Sequence, residues 1–254
     1  MKRGILVLSL LAAPSVHSHA QDIFEIQVYE YLTVPKGRWN LETHFNHSAR
    51  GIRETAGPML PTHGQTRLTL ELTHGITPHF ELAGYLAFAR QSGDGPRFAA
   101  WRVRPRIRAP EEWNLPVGLS LSAEVAFPRD RYDSEKATLE IRPIIERSIG
   151  PVQINLNPVV GRSLKGPGTE EGWDFEPGGR LAVGVHPKVK LSVEYYGSYG
   201  TLSDFLPREE QVHIFFTGGD LRLRENIVLN LGLGLGATSA GERTVLKSRF
   251  GWMF

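Results

Sequence analysis

The chain has 254 residues, no cysteine and nearly balanced charge, with 29 Lys and Arg against 27 Asp and Glu. Without cysteine there are no disulfides, no thiolate metal sites and no lipid-attached cysteine, and the balanced charge gives no general basic face for nucleic acid. No run reaches the roughly 18 to 20 apolar residues that a spanning helix needs, which excludes a helical membrane protein.

Residues 1–20 read as an export signal: Lys2 and Arg3 begin it, Ile5 to Ala13 form the apolar stretch, and Ser18-His19-Ala20 is a small-x-small cleavage site. Its removal leaves 27 basic residues against 27 acidic ones. The remaining length, about 234 residues with no linker or shift in composition, suits one large β domain. In the segment 21–37, Phe24, Ile26 and Val28 alternate with Glu25 and Gln27. This pattern allows a short extra strand before the Val34-Pro35-Lys36-Gly37 turn, a periplasmic segment, or one that enters the interior of the domain.

From residue 38 to 254 apolar and polar residues alternate with period two in twelve blocks, separated by Gly, Pro, Asp and Asn clusters. The blocks are 38–48, 64–73, 79–90, 98–109, 115–127, 137–147, 152–164, 175–187, 189–199, 211–224, 227–238 and 243–254. Their length suits tilted strands crossing a bilayer, whereas soluble strands average about 5 or 6 residues. Long connections (49–63, 91–97, 128–136, 165–174, 200–210) alternate with short ones (74–78, 148–151, 224–226), as in bacterial barrels with short periplasmic turns and longer outer loops. The predicted fold is all-β: a single closed antiparallel transmembrane barrel of about twelve strands in the outer membrane.

The phase is clear where Leu68, Leu70 and Leu72 oppose Arg67, Thr69, Glu71 and Thr73, and where Leu229, Leu231, Leu233 and Leu235 oppose Asn230, Gly232, Gly234 and Gly236. Aromatic residues gather near strand ends, with Trp39, Phe80, Trp113, Trp252 and Phe254 at the periplasmic level and Trp101, Phe127, Trp173, Phe175 and Tyr199 at the outer level. Phe250, Trp252 and Phe254 share one face of the last block. Pro105, Pro143, Pro158 and Pro177 fall inside blocks, where a closed ladder lacks their N–H, and bulges are expected there.

Arg102, Arg104, Arg106 and Arg108 take every second position of one block and so face one side. On the lipid side each would cost up to about 2 to 4 kcal/mol near the midplane, so they are assigned to the lumen. Arg142, Arg180, Lys247 and Arg249, with Glu71, Glu81, Glu124, Glu140 and Glu146, complete the predicted pore-lining set. The ladder either guides anions bidentately or pairs with neighbouring carboxylates, and pairing is favoured. Glu124 and Glu81 are expected to pair with the terminal Arg102 and Arg108, leaving Arg104 and Arg106 least neutralised.

No catalytic residue, cofactor or metal site is assigned. His47 and Ser48 are adjacent and point to opposite faces, which argues against a hydrolytic dyad. Histidines 44, 47, 63, 74 and 79 show no ligand spacing on one face. The acids Glu170, Glu171, Asp174 and Glu176 read as a solvated outer loop.

The chain resembles outer-membrane β-barrels of Gram-negative bacteria, whose assembly machinery recognises an aromatic C-terminal strand such as the one ending at Phe254. Its size, strand count and Trp101-Arg102-Val103-Arg104-Pro105-Arg106 block are similar to the narrow porins for acidic oligosaccharides and to the outer-membrane transporters associated with meta-cleavage degradation of phenols. That resemblance implies passive passage of small anionic or aromatic solutes, with lipid, the assembly machinery and a small solute as partners. The alternatives are a non-conducting structural or adhesive barrel and, less favoured, an outer-membrane lipid hydrolase.

Overall fold

Along the second strand Arg67, Thr69, Glu71 and Thr73 are buried while Leu68, Leu70 and Leu72 are exposed. A water-soluble sandwich would reverse this pattern, because its apolar face packs inward. The same inversion runs round the molecule: Leu119, Leu121, Leu231, Leu233, Leu235 and Leu246 all lie on the outer surface. That continuous apolar belt is the surface of a lipid-embedded barrel.

The computed structural model describes residues 22–55 and 57–254; the expected export signal, 1–20, lies outside them. The strands are β1 (Trp39–Arg50), β2 (Thr66–Thr77), β3 (Phe80–Arg90), β4 (Arg97–Arg108), β5 (Gly118–Pro128), β6 (Ala137–Ile149), β7 (Val152–Lys165), β8 (Asp174–His186), β9 (Val189–Ser198), β10 (Gly200–Thr201), β11 (Asp204–Phe205), β12 (Val212–Arg224), β13 (Ile227–Gly236) and β14 (Thr244–Met253). Twelve of them form a closed antiparallel ring, sealed where β1 pairs with β14 and where β9 pairs with β8 and β12. The short β10 and β11, absent from the sequence reading, make a small hairpin held to β8 by Thr201 opposite Asp174.

Two-residue turns at 78–79, 150–151, 187–188 and 225–226 lie on one rim together with the 109–117 connection, and the other loops lie on the opposite rim. By the rule for bacterial barrels the short-turn rim is periplasmic. Several boundaries differ from expectation. β2 continues to Thr77 and absorbs most of the predicted turn, whereas β5 starts at Gly118 because a 3-10 turn at Glu111–Trp113 takes up the preceding residues. Asp174 and Glu176 belong to β8, so the acidic loop is shorter than expected.

The in-strand prolines are accommodated by interrupted ladders, not by the bulges expected from sequence. Pairing of β4 with β5 stops after Val103 opposite Val125 and resumes at Arg106 opposite Ser122 in the same register. Pro143 and Pro158 fall in a similar gap between Ile141 opposite Val160 and Ile145 opposite Leu156. Pro177 lies one residue beyond the end of the β8–β9 ladder. In an antiparallel strand the N–H and C=O of a residue point to one neighbour, so each proline directs its missing donor toward a gap and keeps its other neighbour. The register shifts occur elsewhere, for example between Gly75 and Thr77.

The barrel interior is filled from the N-terminal side. Residues 22–35 form no strand and run through the lumen before the turn at Lys36-Gly37, where Gly37 N–H donates to Gly75 O at 2.7 Å. Phe24 packs on an alanine patch of β3 and β4 (Ala87, Ala89, Ala99, Ala100), and Ile26 and Val28 pack with Tyr196, Val212, Ile214, Phe216 and Val245. The glycines of β13 make room for this second cluster, since a Cβ on Gly234 would lie 2.4 Å from the Phe216 ring.

Candidate functional site: an arginine ladder gripping the N-terminal segment

Alternation in β4 turns Trp101, Val103 and Ile107 outward and leaves Arg102, Arg104 and Arg106 buried inside, with Arg108 half-buried at the end. These arginines meet successive residues of the N-terminal segment. Arg102 pairs with Asp22 and lies 3.8 Å from Glu25. Arg104 stands over the Tyr29 ring, its guanidinium carbon 4.5 Å from the centroid, and Arg142 stands 4.4 Å from the same ring. Arg106 donates to the carbonyls of Glu30 and Leu32, and Arg108 donates to Thr33 Oγ1 at 3.1 Å and Tyr31 Oη at 2.9 Å.

The wall supplies the opposing charges, and here the expected pairing is corrected. Arg102 does pair with Glu124, at 3.2 Å. Arg104 and Arg106, expected to be the least neutralised, are paired: Arg104 with Glu71 at 2.7 Å and Glu81 at 3.4 Å, and Arg106 with Glu81 at 2.9 Å. The reason is register. The β3–β4 ladder, which shifts register between Ala87 and Phe88, sets Glu81 directly opposite Arg106, not Arg108. Arg108 pairs instead with exposed Glu111 of the 3-10 turn, and its hydrogen bond holds the Glu111 carboxyl below the usual carboxylate range.

The remaining predicted residues lie in the same network. Arg142 pairs with Glu140 at 2.7 Å and donates to Gln27 O at 3.3 Å. Glu146 accepts from Asn155 and from the Tyr31 N–H. Arg180 binds Glu30 at 2.9 Å and Asp220; Lys247 binds Glu194 at 2.5 Å and Ile26 O at 3.2 Å; Arg249 binds Glu42 at 2.8 Å. Breaking a buried ion pair costs about 3–5 kcal/mol, so this network is a strong local constraint.

Attachment of the segment follows one pattern. Among the described residues, the hydrogen bonds joining 23–34 to the wall all involve a side chain: Tyr29 N–H donates to Asn157 Oδ1 at 2.7 Å, Asn157 Nδ2 to Tyr29 O at 3.2 Å, and Val34 N–H to Glu81 Oε2 at 2.6 Å. Two wall glycines allow close approach. A Cβ on Gly75 would lie 2.2 Å from Pro35 O, and one on Gly118 would lie 2.6 Å from the Tyr31 ring. Toward the short-turn rim a cavity of about 450 Å³ remains, lined in part by Glu30, Arg106, Lys190, Asp220 and Arg249.

Other sequence candidates are dispersed. His74 stacks on Trp39 at 4.2 Å, and His47 bonds Thr66 Oγ1 at 2.9 Å while Ser48 is buried on the other face. Aromatic pairs mark both rims, with Trp101 on Phe127 at 4.1 Å and Trp252 on Phe254 at 4.7 Å. Sequence reasoning missed Asp22, Glu25, Tyr29, Glu42, Glu194 and Asp220. The period-two pattern of β1, β9 and β12 would have placed Glu42, Glu194 and Asp220 inward. No periodic signal marks the irregular N-terminal segment.

No family model matches the chain, and no curated protein matches its sequence. Solved structures match in shape. An outer membrane channel from Pseudomonas putida F1 superposes with a TM-score of 0.62 at 14% identity, over 91% of this chain and 100% of that one. The KdgM porin gives 0.57 at 10% identity, over 85% and 99% of the two chains, and the NanC porin 0.56 at 6%, over 85% and 98%. At such identities the likeness is one of fold. With the apolar belt, it makes this protein an outer-membrane β-barrel of the narrow twelve-stranded kind.

Proposed function

We propose that the protein is an outer-membrane channel for passive passage of small solutes, and that residues 22–35 occupy its path in the closed state. The carrying observation is how this segment is held: it crosses a polar interior without joining the β ladder and is attached through side chains. Such a segment can leave without opening the barrel wall. The predicted charged set from Arg102 to Arg249 then lines the path.

The preferred solute is a small anion, with or without an aromatic ring. Withdrawal of the segment removes Asp22, Glu25 and Glu30 from Arg102 and Arg180, along with the carbonyls that occupy Arg106. Each keeps a wall carboxylate (Glu124, Asp220 or Glu81) but regains open donors, and guanidinium groups bind carboxylates and phosphates bidentately and stack on aromatic faces. The Arg104–Tyr29–Arg142 stack supports the aromatic part of this reading, and the KdgM porin, solved in complex with disordered oligogalacturonate, supports the anionic part.

Single-channel recording tests it. The refolded chain should conduct little, and a variant lacking residues 22–35 should conduct steadily with preference for anions. A folded deletion variant that passes no current would favour the second reading, a filled structural or adhesive barrel. That reading rests on the apolar packing of Phe24 and Ile26 into the wall.

A further inference from the structure

Beside the arginine ladder, three buried side chains from separate elements converge: His44 of β1, Glu71 of β2 and Glu25 of the N-terminal segment, with one donor atom from each within 4.8 Å of the others. Glu71 spends only one oxygen on its neighbours. Its Oε1 accepts from Arg104 Nη2 at 2.7 Å and Thr73 Oγ1 at 2.8 Å, while its buried Oε2 has no hydrogen-bond partner. Glu42 is arranged alike, with Oε1 on Arg249 and Oε2 turned to His44. His44 is 1% exposed, and its Nε2 also lacks a hydrogen-bond partner.

His44 Nε2 lies 3.4 Å from Glu71 Oε2 and 3.6 Å from Glu42 Oε2, longer than a good N–H···O bond. A tetrahedral zinc ion with N and O donors at about 2.0–2.1 Å spaces those donors about 3.3–3.4 Å apart. The local charge also fits a cation. Arg104 is shared between Glu71 and Glu81, Arg249 between Glu42 and Asp220, and Arg102 among Asp22, Glu25 and Glu124. Around His44 the guanidinium groups that meet the carboxylates Glu25, Glu42 and Glu71 are thus each shared with a further carboxylate.

We propose that His44, Glu71 and Glu25 form a binding site for a divalent cation of the zinc class, with Glu42 as the adjoining carboxylate, and that the ion ties the N-terminal segment to the barrel wall. Imidazole with carboxylate donors suits such ions. Two ligands belong to the rigid wall and the third to the segment, so occupancy and seating of the segment are linked. This goes beyond the channel reading and does not need the barrel to conduct.

The test is zinc titration of the full-length refolded protein in detergent after chelator treatment, followed by calorimetry. One equivalent should bind near neutral pH, with affinity about tenfold or more weaker in His44→Gln and in Glu25→Gln. Heat-modifiable migration checks that each variant is folded; if His44→Gln fails to fold, Glu25→Gln, outside the β ladder, decides alone. Hydrogen exchange across 24–34 should slow with zinc in the parent protein and not in Glu25→Gln. No stoichiometric uptake overturns the proposal and leaves His44 as a buried neighbour of Glu42 and Glu71. Unchanged affinity in the folded variants, or exchange insensitive to bound zinc, overturns it equally.

Discussion

A guanidinium inside this barrel is worth what its partners make it worth. Arg104 and Arg106 face buried Glu71 and Glu81, so replacing both with Gln strands two carboxylates away from water. We expect Arg104→Gln/Arg106→Gln to lower stability by at least about 3–5 kcal/mol, read as an earlier urea midpoint in detergent. A change in ion selectivity with unchanged stability would contradict the pairing. Glu111→Gln is the matched control, because it removes only the exposed partner of Arg108 and leaves the Arg108 bonds to Thr33 and Tyr31 in place, so it should matter far less. The Glu111 carboxyl is held low in the folded protein by the Arg108 hydrogen bond. Its contribution is therefore present above the ordinary carboxylate range and lost as pH falls through the lowered value. Melting curves of Glu111→Gln and the parent protein should differ slightly at neutral pH and converge in acid.

At the scale of elements, period-two alternation made the strands legible because lipid outside and polar contents inside oppose each other at every residue. Alternation fixes a face and not a depth. Glu81 was assigned to the wrong arginine because the register shift between Ala87 and Phe88 in the β3–β4 ladder changes which residues of β3 meet β4, and nothing in the local sequence announces that shift. The prolines were visible as a difficulty, but their solution, paired gaps in neighbouring ladders, needs two strands to be seen together. The N-terminal segment was the least legible element, since its contacts with the wall are long-range and its backbone follows no period. Its seating can be tested at one glycine. The Cβ of Gly75→Ala would meet Pro35 O at 2.2 Å, a backbone atom that cannot swing aside. The 32–37 turn should lift, and protease should cut the segment faster while the barrel stays heat-modifiable. Cleavage at the parent rate would show that the turn does not fix the segment.

For the whole molecule the critical step is closure, where the first and last strands must find each other across the full length of the chain. The seam joins β1 to β14 from Asn40 opposite Met253 to Arg50 opposite Thr244. It ends in a reciprocal pair of backbone hydrogen bonds, Trp39 N–H to Phe254 O at 2.9 Å and Phe254 N–H to Trp39 O at 2.8 Å. Phe254 packs at a tilt against Trp252, and both rings lie on the outer surface at the short-turn rim, where aromatic side chains suit the membrane interface. Deleting Phe254 removes both closing bonds and one ring of the aromatic pair, yet leaves the interior network and the expected export signal untouched. The shortened chain should cross the inner membrane normally, accumulate in the periplasm and appear in the outer-membrane fraction at a reduced level. Replacement by Trp or Tyr should restore insertion, because the backbone bonds and an aromatic ring are both kept. Equal outer-membrane levels for the deletion and the parent protein would mean that the seam closes without its last residue, and that the aromatic end is incidental to assembly.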